Sequence, residues 1–427
     1  MKNNKVMVLT LGCSKNTVDS EGIIGSLRAN GIQHTENIDE ADTIIINTCG
    51  FIKPAKEESL KYILSATELK NQGKIKKVIV SGCLSERYLK ELNEQLENVD
   101  LITGVNASEE ITKFLKPDLK YNLVGERELL TPKHYAYLKI SEGCNHPCSF
   151  CAIPLIRGKY VSRDINDLIA EGQSLVKKGV KELIIIAQDS TFYGVDIYKK
   201  SQLADLLRRL SDIDNLSLLR LLYTYPLNFP FEVLDVMNER ENICKYLDMP
   251  LQHVSSTILK SMKRKMNYQQ TSDLVDKIRY KVKDVAIRST FIVGYPGETE
   301  EDFELLKRFI IEKRLDRVGV FTYSHEENTK AFELKDDIPE NVKEERRNIL
   351  MEAQMEISLE RNKNFVGKEL KVIVDEKMEN KYIARTQWDA PEVDNSVIIT
   401  SKKRINIGDF INVKINSADA YDLFAKY

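Results

Sequence analysis

The sequence predicts a multidomain α/β protein. We expect an N-terminal parallel α/β sheet domain, a partial (β/α)6 TIM-like barrel, and a small antiparallel β-barrel at the C-terminus. Three observations lead to this prediction. The chain has 427 residues, which is more than one hydrophobic core usually serves. Apolar strand-like runs alternate with helical patterns up to about residue 362, and short alternating strands follow from there to the end.

The first domain, predicted over residues 1–120, has the βαβ rhythm of a parallel sheet. The runs KVMVLTL, DTIIIN and KKVIVS are each followed by a cysteine-bearing loop and then a helical stretch. Those cysteines are Cys13, Cys49 and Cys83. Because ligands bind beyond the carboxyl ends of the strands in such sheets, we expect the three thiols to converge on one site. The alternative is three unrelated buried cysteines.

The second domain, predicted over residues 130–362, has six strand candidates separated by helical stretches, fewer than the eight of a closed barrel. The candidates are AYLKIS, ELIIIAQ, LSLLRLLYTY, KYLDMPL, AIRSTFIVGY and RVGVFTY. Polar residues that follow the strands should line one mouth of the barrel, although each alone can be an ordinary solvated loop residue. They are Gln188, Asp189, Tyr225, Gln252, His253, Tyr295, Ser324 and His325.

The third domain, predicted over residues 363–427, consists of short alternating strands joined by turns, which is typical of a small antiparallel barrel. One of its loops places three carboxylates around a proline, directly after the chain's only tryptophan. The carboxylates belong to Asp389, Glu392 and Asp394. The loop is either an acidic recognition feature or a simple solvated turn.

Composition limits the possible partners and the compartment. The formal net charge is −2, so the whole surface has no general attraction for phosphate backbones. No run approaches the ~20 apolar residues that cross a bilayer, so we expect no membrane partner. Seven cysteines without a recognisable signal peptide favour reduced thiols and a cytoplasmic location. Cys244 starts an apolar run, and we expect it to be a core residue.

Cys144, Cys148 and Cys151 form a CxxxCxxC motif in the loop after the first barrel strand. Four-iron clusters are normally held by four cysteines, so three thiolates leave one iron open to another ligand. A structural zinc site prefers two close ligand pairs, and here His146 would have to complete it in a cramped arrangement. Cys148 and Cys151 alone are also spaced as a CxxC redox pair.

The CxxxCxxC motif, with aromatic Phe150 before its last cysteine and a six-unit barrel around it, resembles the radical S-adenosylmethionine (SAM) superfamily. The resemblance implies that the open iron of a 4Fe-4S cluster binds SAM and reduces it to a 5′-deoxyadenosyl radical. It further implies that residues after the barrel strands contact the cofactor. The turn from Gly294 to Gly297 would allow the cofactor to approach the backbone closely, because glycine has no side chain. We expect these contacts from Phe150, Gln188, Asp189, Gln252 and Gly294.

Over its whole length the chain resembles the methylthiotransferases of that superfamily, which carry a TRAM barrel at the C-terminus. The resemblance implies that Cys13, Cys49 and Cys83 hold a second, auxiliary 4Fe-4S cluster. The expected cofactors are therefore two 4Fe-4S clusters and S-adenosyl-L-methionine, with a low-potential electron donor as a partner. One use of SAM would methylate a sulfur, and the other would generate the radical that abstracts hydrogen from carbon.

Two branches of the family modify either an adenosine in tRNA or an aspartate of ribosomal protein S12. The segments LGCSKNTVDSE, PLQHVS and DAPEVD look like the S12 branch. The stretch 365–427 has ten Lys plus Arg and ten Asp plus Glu, whereas a barrel that grips tRNA should be basic, so tRNA is the less favoured substrate. S12 is expected to be basic, and Asp389, Glu392 and Asp394 would bind it by charge complementarity.

An alternative of another class is a non-catalytic, metal-stabilised protein that binds the ribosome or RNA.

Overall fold

In the computed structural model of the chain, residues 5–118 and 127–427 are described. The predicted end of the first domain at residue 120 lies outside these ranges. The chain divides into two compact units. The first comprises Met1–Thr131, Glu142–Asn145 and Cys151–Val161, and the second comprises Pro132–Ser141, His146–Phe150 and Ser162–Tyr427. No helix within the described ranges has the length and apolar character needed to span a membrane.

The first unit contains a five-stranded parallel sheet, as predicted, with strand order β2-β1-β3-β4-β5. Its strands are β1 (Lys5–Thr10), β2 (Gln33–His34), β3 (Thr43–Thr48), β4 (Lys77–Gly82) and β5 (Leu101–Ile102). Its helices are α1 (Ser14–Ala29), α2 (Lys53–Asn71), α3 (Cys83–Arg87), α4 (Leu89–Gln95), α5 (Ser108–Leu115) and α6 (Ile153–Ile156), with a 3-10 turn at Ile38–Glu40.

Both faces of this sheet are buried. In β3, Ile45 packs into one apolar cluster, whereas its neighbours Ile44 and Ile46 pack into another. Successive side chains of a strand point to opposite faces, so a continuous apolar run is what a sheet covered on both sides requires. This is why the strands of the first domain were recognisable in the sequence.

The second unit contains a six-stranded, all-parallel sheet whose strands lie side by side in chain order. Its strands are β6 (Tyr135–Lys139), β9 (Glu182–Ile186), β10 (Leu218–Leu221), β11 (Ile243–Asp248), β12 (Ala286–Val293) and β13 (Arg317–Thr322). Two short strands, β7 (Ser141–Glu142) and β8 (Val161–Ser162), flank the cysteine motif in the chain. The six strands confirm the predicted partial barrel. Cys244 is 1% exposed, as predicted for a core residue.

Helices separate the strands of the second unit. They are α7 (Ile165–Lys177), α8 (Val195–Tyr198), α9 (Leu203–Ser211), α10 (Glu232–Glu239), α11 (Ser256–Ser261), α12 (Tyr268–Lys281), α13 (Glu300–Lys313) and α14 (Glu340–Lys363), with a 3-10 turn at Lys330–Glu333. Local sequence fixes where some of them begin. Both Asn267 before α12 and Thr299 before α13 form capping boxes with the third helical residue, which satisfies two otherwise unpaired N–H groups at each helix start.

The C-terminal strands form a closed five-stranded barrel of order β14-β15-β16-β18-β17. They are β14 (Glu369–Met378), β15 (Lys381–Arg385), β16 (Ser396–Thr400), β17 (Phe410–Ala418) and β18 (Asp422–Lys426). The small antiparallel barrel is confirmed, with one exception, because β16 and β18 pair in parallel. Five strands cannot alternate in direction all the way around a closed barrel, so one neighbouring pair must run the same way.

Candidate functional site

Three cysteines of the first unit lie at the carboxyl ends of neighbouring strands. Cys13 follows β1, Cys49 follows β3, and Cys83 follows β4 at the start of α3. These strands are adjacent in the sheet, so their carboxyl ends share one edge. The last residue of β4, Gly82, has a φ of 99°, which favours glycine. The structure thus brings the three cysteine-bearing loops to a single edge, where such sheets bind ligands.

The cysteine-bearing loops approach one another so closely that two glycines are needed between them. A Cβ atom on Gly12 would lie 2.9 Å from Cys49 Sγ, and one on Gly50 would lie 2.6 Å from Leu84 Cα. Both distances are shorter than real Cβ contacts. Since Leu84 directly follows Cys83, any larger residue at position 50 must push the Cys49 and Cys83 loops apart.

A buried arginine, Arg157, contacts the thiol of Cys83. Its Nη2 lies 3.4 Å from Cys83 Sγ and 2.6 Å from Asn16 Oδ1. Its Nη1 pairs with Asp19 at 2.7 Å and Glu142 at 3.2 Å, and the side chain is only 2% exposed. Burial raises the pKa of the Cys83 thiol to about 11, and the positive guanidinium opposes that rise. The arrangement therefore favours a negatively charged sulfur more than burial alone would.

Sequence reasoning missed Arg157 and Asn16. Asn16 donates from Nδ2 to the carbonyls of Leu11 at 2.7 Å and Thr48 at 3.0 Å, so it ties the ends of two strands to α1. The signal available for Arg157 was a lone charge directly after the apolar segment AIPLI, shortly past Cys151. A charge in such a position is either exposed or paired, and sequence alone does not say which.

In the second unit, two polar side chains face the sulfur of Cys148. Tyr225 Oη lies 3.9 Å and Arg264 Nη1 lies 3.8 Å from Cys148 Sγ. The Arg264 guanidinium also lies over the Tyr225 ring, 4.5 Å from its centroid. A cation and a hydroxyl group therefore lie within 4 Å of the Cys148 sulfur.

Asp189, which the sequence predicts to contact a cofactor, holds a histidine of the cysteine motif. His146 Nε2 lies 2.6 Å from Asp189 Oδ2. The other carboxylate oxygen accepts a hydrogen bond from the Thr191 N–H at 2.8 Å, so the carboxylate is fixed from both sides. The His146 ring stacks on the Tyr225 ring with a centroid separation of 3.6 Å and an interplanar angle of 8°. These contacts orient the loop next to Cys148.

The other predicted cofactor contacts lie in mixed environments. Phe150 packs against the apolar cluster that contains Tyr295 and Tyr323. Gln188 is half-buried in the segment after β9. Gln252 has a φ of 72° and extends the sheet through backbone hydrogen bonds to β12. The cofactor roles of these side chains stay predictions.

The backbone at Gly294 is closely approached, and the approaching group is the side chain of Lys343. Gly294 has a φ of 71°, and a Cβ there would clash with the side chain of Lys343 from α14. Lys343 is buried and pairs with Asp336 at 2.9 Å. Glycine is therefore required at position 294 by packing within the chain, whatever else binds near it.

The acidic loop of the terminal barrel is not the exposed surface that the sequence predicted. Asp389 pairs with Arg317 at 2.6 Å, and its side chain is 5% exposed. Asp394 accepts a hydrogen bond from the Tyr246 hydroxyl at 2.6 Å, and its side chain is 1% exposed. Burial raises the pKa of Asp394. Only Glu392 is exposed. The prediction failed because tertiary partners neutralise these carboxylates, and such partners are not visible in the local sequence.

The partners of the acidic loop also show where it sits. Glu392 accepts a hydrogen bond from Tyr135, the first residue of β6, and Asp389 pairs with Arg317, the first residue of β13. The loop therefore packs at the amino-terminal ends of the strands of the six-stranded sheet. Tyr225 and Asp189 follow the carboxyl ends of strands in the same sheet. The predicted substrate loop and the predicted cofactor residues thus lie at opposite ends of the strands.

A buried charge network fastens the terminal barrel to the six-stranded sheet. Glu182 of β9 is completely buried between Arg220 at 2.7 Å and Arg385 of β15 at 2.7 Å. Arg385 also pairs with Asp375, which lies 2.7 Å from His134 Nε2. Burial alone would raise the pKa of Glu182, but the two guanidiniums outweigh it and lower that pKa to about 2.

The gathered cysteines do not form a site for a single metal ion. Among residues 5–118 and 127–427, no three His, Cys, Asp or Glu side chains converge closely enough to hold one ion. A four-iron cluster, in contrast, distributes its thiolate ligands over separate irons. The loops of Cys13, Cys49 and Cys83 share one edge of the sheet.

Three protein families match segments of the chain. The uncharacterized protein family UPF0004 matches residues 5–104, the radical SAM superfamily matches residues 138–310, and the TRAM domain matches residues 366–427.

Three curated relatives that carry the name ribosomal protein uS12 methylthiotransferase RimO match the chain over its full length. The relative from Cytophaga hutchinsonii is 51% identical over 428 residues, covering 100% of this chain and 98% of the relative. The relative from Flavobacterium johnsoniae is 50% identical, with the same coverage. The relative from Chloroherpeton thalassium is 51% identical, covering 99% of this chain and 98% of the relative.

Solved structures share the fold at much lower identity. The radical SAM methyltransferase TsrM from Kitasatospora setae is 15% identical with a TM-score of 0.55, covering 74% of this chain and 72% of that protein. The cobalamin-dependent SAM radical enzyme OxsB is 12% identical with a TM-score of 0.53, covering 82% of this chain and 56% of that protein. At these identities the likeness concerns the fold alone.

Proposed function

We propose that this chain, which belongs to the ribosomal protein uS12 methylthiotransferase family, adds a methylthio group to the β-carbon of an aspartate of ribosomal protein S12 by radical SAM chemistry. The observation that carries this conclusion is identity of about half the residues with such enzymes over the full length of both chains. The chain is a radical SAM enzyme, and its family uses SAM and a 4Fe-4S cluster.

We assign the SAM-binding 4Fe-4S cluster to Cys144, Cys148 and Cys151. Their spacing fits the cluster, because three thiolates leave one iron open to the amino and carboxylate groups of SAM. The surroundings of Cys148 also fit, since Arg264 and Tyr225 place a cation and a hydroxyl group beside the sulfur that would bind iron. When bound there, the cofactor supplies the radical that removes a hydrogen atom from the substrate carbon.

We assign a second, auxiliary 4Fe-4S cluster to Cys13, Cys49 and Cys83. Their loops share one sheet edge, and Arg157 places a buried positive charge against Cys83. A cation at this position would stabilise the negative charge of thiolate-bound iron. A cluster held by these three cysteines would supply the sulfur of the methylthio group.

Side chains around the cysteine motif orient the loop and exclude water. His146 is held between Asp189 and the face of Tyr225, and Phe150 packs with Tyr295 in an apolar cluster. We propose that SAM is contacted by Phe150, Gln188, Asp189, Gln252 and Gly294. No general base is proposed, because hydrogen abstraction does not need one.

We propose three domains, spanning residues 1–120, 130–362 and 363–427. The matched family segments at 5–104, 138–310 and 366–427 each fall inside one of them. The proposed partners are S12 and a low-potential electron donor. Because the stretch 365–427 has no net charge, tRNA is not favoured as the substrate.

Iron counting tests the two-cluster proposal. Anaerobically reconstituted wild-type protein should hold about eight irons per chain. Replacing Cys144, Cys148 and Cys151 with alanine should leave about four irons, and so should replacing Cys13, Cys49 and Cys83. Cys244→Ala, a buried cysteine outside both groups, is the matched control and should retain all of them. A zinc-loaded protein, or the loss of all iron in either triple variant, would overturn the assignment.

A deletion strain tests the substrate. Without this protein, the S12 aspartate should lose its methylthio group while tRNA adenosines keep theirs. The reverse result would show that the chain acts on tRNA.

A further inference from the structure

An open cavity of about 670 Å³ lies beside Ser149, the residue that follows Cys148. It is lined by Ser149, Thr257, Lys260, Ser261, Lys263, Lys330, Glu333 and Leu334. Three of these side chains are cationic and one is anionic, and all four are exposed. The cavity therefore presents a positive surface next to the cysteine motif.

The lysine-bearing segments are hydrogen-bonded directly to the backbone of the cysteine motif. The Ser149 N–H donates to the Met262 carbonyl at 3.1 Å, and the Ala331 N–H donates to the Ser149 carbonyl at 2.8 Å. The Ser149 hydroxyl donates to the Ser261 carbonyl at 2.9 Å. Ser149 is thus joined both to the α11 region that carries Lys260 and to the turn that carries Lys330.

The positive charge of this surface is local and largely unbalanced. Among the residues that line the cavity, Lys260, Lys263 and Lys330 outnumber the single carboxylate Glu333, whereas the whole chain has a net charge of −2. Within the described ranges, no carboxylate forms an ion pair with Lys260, Lys263 or Lys330. Desolvation and the neighbouring Lys330 ammonium lower the pKa of Lys263. Two adjacent ammonium groups repel each other, and an anionic partner would relieve that repulsion.

We propose that Lys260, Lys263 and Lys330 form a docking surface for an acidic flavoprotein that delivers electrons singly to the cluster of Cys144, Cys148 and Cys151. The proposal rests on the proposed function, which requires that cluster to be reduced. The flavin hydroquinone anion loses one electron and becomes the neutral semiquinone, while the cluster gains that electron. No proton or other atom is transferred.

The position and charge of the surface favour an electron donor over the substrates. A basic S12 would be repelled by the three lysines. Ribosomal RNA would be attracted by charge, but its binding gives no reason for the lysines to adjoin the cysteine motif. An electron carrier needs a short path to that motif, and the backbone bonds of Ser149 connect the surface to it.

Direct binding is the first test, with oxidised flavodoxin, an acidic flavoprotein, as the probe and the reconstituted holoenzyme as the target. The variant replaces Lys260, Lys263 and Lys330 with glutamate. The dissociation constant of the complex between this variant and flavodoxin should be about tenfold or more above that of wild type at low salt. The salt dependence of binding should also be weaker in the variant.

The matched control makes the same charge change at Lys200, Lys283 and Lys402, which are exposed in the second unit away from this cavity. It should bind flavodoxin like wild type. Equal weakening in both variants would overturn the proposal, because the effect would then come from net charge. Unchanged binding in the first variant would also overturn it.

Turnover with two reductants separates docking from substrate binding. Dithionite is small and needs no docking surface, so S12 modification driven by dithionite should be equal in wild type and the first variant. Modification driven by reduced flavodoxin should fall about tenfold or more in the variant. An equal loss with both reductants would assign the lysines to substrate binding, for example to RNA phosphates. If wild type modifies S12 with neither reductant, the proposed function fails, and the binding experiment alone decides the docking surface.

Discussion

Replacing Gly50 with alanine tests whether the close approach of the cysteine-bearing loops is needed to hold the auxiliary cluster. The new Cβ would lie 2.6 Å from Leu84 Cα and 2.7 Å from Leu84 N, whereas ordinary contacts begin at 3.4 Å. Both atoms are backbone, so no side-chain rotation relieves the clash. The two loops must separate by about 1 Å, a change that typically costs about 1–3 kcal/mol. A metal site whose supporting residues are loose by about 1 Å commonly fails.

The assay is iron content in a variant that lacks Cys144, Cys148 and Cys151, so that only the auxiliary cluster is counted. We expect Gly50→Ala to lower it from about four irons per chain towards zero. The control is Gly22→Ala in α1, where a Cβ meets nothing within 4 Å. It should retain its iron and gain up to about 1 kcal/mol of stability. Full iron retention in Gly50→Ala would refute the reasoning, and so would equal loss in the control.

Two further predictions concern buried charges. Glu182→Gln should lower the melting temperature at neutral pH, because a folded pKa of about 2 against an ordinary 4.5 corresponds to about 3 kcal/mol of stabilisation. Because folding lowers the pKa of Glu182, its stabilisation of the folded state is complete above pH 4.5 and is lost as the pH falls towards 2. Wild type and variant should therefore converge in acid, and a gap that persists at pH 2 would contradict the prediction. Arg157→Met removes a buried cation from the half-buried Asp19 and Glu142, and should destabilise iron-free protein by about 3 kcal/mol in thermal unfolding. Arg157→Lys should recover part of that lost stability. Equal melting temperatures for the lysine and methionine variants would show that the positive charge does not provide the stabilisation.

The site and the terminal barrel lie at opposite ends of the six-stranded sheet, which limits how the substrate can reach the site. The acidic loop packs on Arg317 and Tyr135 at the amino-terminal ends of strands. Its two buried carboxylates already form ion pairs, Asp389 with Arg317 and Asp394 with Arg288. Cys148 lies beside Tyr225, which follows the carboxyl end of β10. We therefore expect the S12 aspartate to approach from the carboxyl ends of the strands. A role for the terminal barrel in binding S12 would have to use surfaces other than Asp389 and Asp394.

Much of the fold was predictable because its signals are local. The main strands of the first sheet contain continuous apolar runs, and burial on both faces of that sheet leaves this pattern in the sequence. The cysteine-bearing loops of the first unit were predictable for the same reason, since each follows such a run. A parallel sheet then brings their ends to one edge without any knowledge of side-chain contacts.

The failures concern contacts between residues far apart in the chain. Arg157 meets Cys83, and Arg317 meets Asp389, across separations that no local pattern encodes. The same holds for Lys343, which fills the space at Gly294. The parallel pairing of β16 with β18 was predictable in principle, because an odd number of strands cannot alternate around a closed barrel.

The most direct test of the central claim is the mass of S12 after reaction. Purified S12 is incubated with the reconstituted protein, SAM and dithionite, and the intact and fragmented protein are analysed by mass spectrometry. We predict a gain of one methylthio group, located on an aspartate and absent when SAM is omitted. An unchanged S12, together with methylthiolated adenosine when tRNA is supplied instead, would contradict the account.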